Sequence, residues 1–161
     1  MNKWLLMAST AAVAAVATFF VLNSDYNPFV SPMTRACEVV LKKRLLAPAG
    51  YKRVEITENS EPLSLDDYLK DRNTTSESER LLWTRMYNDD IVGKNPPTKF
   101  TLFISYDAPN AYGTPVRGLS MCEYRSISAS KSNAAWYSVI VDNFTQTGWL
   151  KDQLVKGNLQ N

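Results

Sequence analysis

The chain has 161 residues, 45% of them hydrophobic, and a formal net charge of +2, which suits one modest domain with an appendage. So small a charge, with Lys and Arg scattered along the chain, excludes an electrostatic footprint for nucleic acid. There is no histidine and there are only two cysteines, which removes the commonest general base, every His-containing triad and any ordinary zinc set.

The first segment is MNKWLLMASTAAVAAVATFFVL, where residues 4–22 carry no charge and Ser9, Thr10 and Thr18 are the polar side chains. At about 1.5 Å per residue such a helix spans a hydrocarbon core of about 30 Å. Residues 1–23 are therefore expected to form a transmembrane anchor. Lys3 before the run and Asp25 after it place the N-terminus in the cytoplasm and the rest outside. The alternative is a signal sequence cleaved after a small-x-small site, Ala12-Val13-Ala14 or Ala15-Val16-Ala17. Phe19 to Leu22 extend the apolar run beyond both sites and favour the anchor. Residues 24–31 (SDYNPFVS) read as a tether, and residues 32–161 as an extracytoplasmic domain.

That domain opens on a helix. Ser31 is the expected N-cap and Pro32 suits the first helical position. Met33, Ala36, Cys37, Val40, Leu41 and Leu45 share one apolar stripe, with Pro48 and Gly50 ending the element. The KKR run reads as a solvated helix face. Residues 50–57 alternate as a short strand with one wet face. Residues 58–98 read as a helical insertion: Ser64 with Asp67, and Ser76 with Glu79, resemble capping boxes that open helices through Leu69 and over 77–88. Trp83, Met86 and Tyr87 on the second helix would either cover the sheet or face a partner.

Three more strands follow, at 99–106, 114–126 and 136–141, and their spacing predicts an antiparallel meander. In the first, Phe100, Leu102, Ile104 and Tyr106 share a face; in the second, Val116, Gly118, Ser120, Cys122 and Tyr124 do. A turn and a short helix carrying Trp149, Leu150 and Leu154 end the chain. The expected fold is α+β: a transmembrane helix, then a helix packed on an antiparallel sheet of about four strands, with an inserted helical segment.

Cys37 lies on the inward stripe and Cys122 in mid-strand, so a helix crossing the sheet brings them together, and an exterior compartment would oxidise them. Two buried free thiols are the alternative if the topology is reversed. A catalytic thiol lacks a histidine to activate it. The connection DAPNAYGTP reads as much longer than a usual hairpin loop. Asp107 and Asn110 would hold the turn, Tyr112 would project from its tip, and Arg117 would lean on Asp107 or meet a partner's carboxylate. The sequons at Asn73 and Asn143 are given no role.

The helix RACEVVLKKRLLAP, the hairpin YDAPNAYGTPVRG and the Cys-bearing strand resemble small membrane-anchored envelope proteins of Gram-negative bacteria. The likeness leaves out residues 58–98. It implies an extracytoplasmic α+β domain, held at the inner membrane by a single span with its body in the periplasm, or cleaved and periplasmic. That group has no described activity, so no catalytic residue carries over.

The expected function is thus a non-enzymatic binding or assembly module, with no cofactor, no metal and no nucleic acid, and a protein partner in the envelope. Asp107, Asn110, Tyr112 and Arg117, or Trp83 and Tyr87, are the candidate contacts. An envelope inhibitor or immunity-type protein is the alternative. A carboxylate hydrolase would have only Asp66, Asp67, Asp89, Asp90 and Glu123 to work with, and adjacent acids splay apart on a helix.

Overall fold

The structure is a computed structural model that describes residues 30–158. Ser31 caps helix α1 (Pro32–Arg44): its side chain accepts from the Thr34 amide at 3.1 Å, and Pro32 fills the first turn. Lys42, Lys43 and Arg44 in the last turn complement the helix dipole. The buried face of α1 is Met33, Thr34, Ala36, Cys37, Val40 and Leu41, the three- and four-residue spacing expected of a helix laid on a sheet.

Beyond a 3₁₀ turn (Pro48–Gly50) come β1 (Lys52–Pro62), helices α2 (Leu65–Asp71) and α3 (Glu77–Val92), then β2 (Thr98–Pro109), β3 (Pro115–Ser126), β4 (Val139–Val141) and helix α4 (Gln146–Asn158). The four strands pair antiparallel in the order β1-β2-β3-β4. This is the α+β meander that the strand spacing predicts.

Register explains the core. Ile104 pairs with Ser120, Leu102 with Cys122 and Phe100 with Tyr124, while Cys122 also pairs with Val141 and Tyr124 with Val139. Directly opposed residues share a face, so this set forms the layer that α1 covers. Met33, Cys37, Val40, Leu102, Ile104, Cys122, Val139 and Val141 are almost wholly enclosed. At the centre Cys37 and Cys122 form a disulfide, with Cα atoms 6.0 Å apart. The expected bridge is present, and the free-thiol alternative is removed.

Several details differ from the expectations. β1 runs on to Pro62 rather than stopping at 57, and the insertion starts at Leu63. As an edge strand exposed along nearly its whole length, β1 packs only Ile56 on the core, so its C-terminal half needs no alternating pattern. α1 ends at Arg44, with Leu45 already extended, ahead of the expected stop at Pro48 and Gly50. The last strand shrinks from 136–141 to three residues. Ser138 donates its amide to the Ala135 carbonyl at 2.9 Å, closing a turn where Trp136 and Tyr137 suggested pairing. Asp142 and Asn143 then take positive φ to reverse the chain.

Both helix caps in the insertion form as expected. Ser64 accepts from the Asp67 amide, and Ser76 with Glu79 makes a complete capping box. The anchor at residues 1–23 and most of the tether lie outside the described residues. Among the described residues, no helix is long and apolar enough to cross a membrane.

Candidate binding surface at the β2–β3 hairpin

β2 and β3 run two residues beyond the last β1 rung at Asp107 and are joined by five residues, 110–114. This corrects the expected long connection. Proline lacks the N–H a ladder needs, yet Pro109 and Pro115 stand opposite each other at the last rung, where none is required.

The hairpin is braced at two levels. Asp107 and Arg117 are opposed in register, and the guanidinium donates to both carboxylate oxygens, Nε to Oδ1 and Nη2 to Oδ2, the latter at 3.1 Å. Hydrogen bonds from Arg117 hold the Asp107 carboxyl below its ordinary value, and Asp107 in turn raises Arg117. At the tip, Asn110 Oδ1 accepts from the Tyr112 amide at 2.9 Å and the Thr114 amide at 3.0 Å. The Asn110 amide donates to the Thr114 carbonyl at 2.9 Å. Gly113 sits at φ +79°, a conformation that other L-residues enter only under strain. On this scaffold Tyr112 is 92% exposed.

Two cavities lie beside the hairpin. One, of about 280 Å³, is lined by Leu45, Leu46, Ala108, Pro109, Asn110, Val116, Arg117 and Gly118. The other, of about 320 Å³, is lined by Leu41, Asp142, Phe144, Trp149, Asp152, Gln153 and Lys156. Arg44, Leu45 and Tyr106 line both, so the two form one trough from the hairpin to α4.

Arg44 fixes the trough's middle. It donates Nη1 to the Val141 carbonyl at 2.6 Å and Nη2 to the Phe144 carbonyl at 3.0 Å, with its guanidinium 5.6 Å from the Trp149 ring centre. Burial lowers its pKa, and Asp142 acts in the opposite sense. Tyr106 is the floor. It leans across Gly118 so closely that a Cβ there would lie 2.5 Å from the ring. Its other side meets Tyr51 at 5.6 Å between centroids. Tyr51 donates to Glu38 on α1 at 2.8 Å, and burial followed by that carboxylate raises its pKa strongly.

Of the expected contacts, Asp107, Asn110, Tyr112 and Arg117 are thus assembled in one hairpin. Trp83 and Tyr87 are elsewhere, separated from it by the length of β2, roughly 35–40 Å at 3.4 Å per residue. They neither cover the sheet nor stand free. Both pack on Tyr68, at 6.5 and 5.4 Å between centroids, and Tyr87 donates to the Leu63 carbonyl at 2.7 Å. Arg72 lies 4.4 Å from the Trp83 ring centre. Met86, named with them, is exposed, and so is Leu82 beside it.

Asp66 and Asp67 on α2, Asp89 and Asp90 on α3 and Glu123 on β3 do not converge. Among the described residues, no three Asp, Glu or Cys side chains gather where they would hold a metal ion. Sequence reading put Arg44 on a solvated helix face and gave Leu46, Tyr106, Val116 and Trp149 no part in this surface. Only the facing of an aromatic by glycine, Tyr106 against Gly118, leaves a trace in the pattern.

The chain matches no family model, no curated protein and no solved structure. The reading of this surface therefore rests on its own chemistry.

Proposed function

We propose that the protein is a non-enzymatic binding or assembly module of the bacterial envelope, tethered by its N-terminal segment with the folded body outside the cytoplasm. The β2–β3 hairpin is its contact surface. One observation carries this reading: Tyr112 is 92% exposed on a turn braced both at its tip and at its neck. Folding gains nothing from an aromatic ring held in water. A partner does gain, because an ordered turn loses little further entropy on binding, and tyrosine is enriched among residues that dominate interfaces. The disulfide supports an oxidising compartment.

The test replaces Tyr112 in the full chain with a photo-cross-linking amino acid and irradiates intact cells. A discrete adduct at Tyr112, absent from the same replacement at Tyr137, is the expected result; Tyr137 is 70% exposed and lies outside the hairpin. Identical patterns at both positions would remove the hairpin as the contact. The braced, protruding tip also favours a second reading, an inhibitor that inserts the turn into an enzyme's cleft. In that case the adduct contains an extracytoplasmic enzyme whose activity falls when the protein is added.

A further inference from the structure

This inference rests on the hairpin being the contact surface and concerns what the partner presents to it. We infer that the trough takes an extended segment of the partner in which an apolar side chain is followed by a carboxylate, the carboxylate lying at the hairpin end. The walls at that end are apolar and open to solvent: Leu46 is 81% exposed and Val116 50%. Such side chains beside a concave surface gain by covering each other with a partner's apolar group.

Charge sets the direction. The ionisable residues lining the hairpin-end cavity are Arg44 and Arg117, with no carboxylate among its walls. The α4 end is lined by Asp142 and Asp152 together with Arg44 and Lys156, the last paired with Asp152 at 2.7 Å. The trough is therefore graded, cationic at the hairpin end and balanced in charge at the α4 end. Arg117 spends Nε and Nη2 on Asp107, and among the described residues its Nη1 donates to nothing. A guanidinium has five N–H donors in a planar fork, so one edge stays available for an incoming carboxylate. A segment carrying its acid at the other end would meet Asp142 and Asp152 beside cations they already balance, and gains less there.

The experiment uses the full chain in lipid nanodiscs with the methyl groups of Leu46 and Val116 observed by NMR. The probe is a capped Gly-Leu-Leu-Asp-Gly peptide, compared with its Leu-Leu-Asn counterpart. Saturable shifts at both methyls, at least about fivefold weaker for the Asn peptide and weakened by salt, are the expected result. L46E should weaken the Asp peptide about tenfold by adding a like charge without lowering the melting temperature, since the side chain is exposed. Equal binding of the two peptides, shifts confined elsewhere, or dilution-dependent shifts without peptide (a second copy in the trough) would each overturn the inference. A Tyr112 adduct with no peptide discrimination would leave the contact reading standing and remove this one. Discrimination without an adduct would remove the contact reading, and with it the partner segment inferred here.

Discussion

Replacing both cysteines by alanine should cost a large share of the stability that holds this fold together. The bridge joins residues 85 apart. In the chain-entropy treatment, a closed loop of that length removes about 15 cal/mol/K from the unfolded ensemble, or about 4.6 kcal/mol at 25 °C. Typical domains have only about 5–15 kcal/mol in total. For about 130 ordered residues the unfolding entropy is about 0.27 kcal/mol/K, so the melting temperature should fall by about 15–20 °C. Both sulfurs are wholly enclosed, and their loss adds a small packing penalty of the same sign. Urea unfolding followed by circular dichroism is the assay. The midpoint should drop and the slope should rise, because the uncross-linked unfolded chain exposes more surface. A loss under about 1 kcal/mol, with an unchanged slope, would refute the argument that the bridge acts on the unfolded chain. Labelling of Cys37 and Cys122 on the native protein without reductant would refute the bridge itself.

Three further outcomes are expected. G113A should destabilise by about 1–2 kcal/mol, since φ is +79° there, whereas G113N should cost less; urea midpoints give the comparison. The folded-state pKa of Asp107 is depressed, so the stability from its pair with Arg117 is present above the ordinary value of 3.8 and is lost as pH falls through the lower folded value. A carboxyl-carbon NMR titration should place Asp107 below 3.8 in the native protein and return it to the ordinary range in R117Q. S76A should loosen α3 with little effect on the sheet, because no described side chain of α3 is buried and its capping box is a main local support. Hydrogen exchange should quicken over 77–92 while the amides of β2 stay protected.

The parts legible in the sequence are those where burial imposes a period. Cys37 belongs to the stripe Met33, Ala36, Val40 and Leu41, and Cys122 shares parity with Ser120 and Tyr124, so the pairing could be anticipated. The caps at Ser31, Ser64 and Ser76 were legible because capping is a contact between residues three apart. Residues 58–62 (ENSEP) were not, since an edge strand wet on both faces has no alternation to display. The hairpin length was obscured by Pro109 and Pro115, which punctuate loops and ladder ends alike. The brace between Asp107 and Arg117 could be suspected from local spacing, but the trough could not. It joins Arg44 to Phe144 across 100 residues of chain, and its walls come from α1, two strands and α4.

The position of the covalent link has a mechanical consequence. A pull arriving from the chain before Ser31 reaches Cys37 after six residues and crosses through sulfur to Cys122 in β3. Traction between the two termini thus bypasses everything from residue 38 to 121. The hairpin with its tyrosine lies inside that unloaded span, so such a pull is not carried along the strand segments from 103 to 121 that present it.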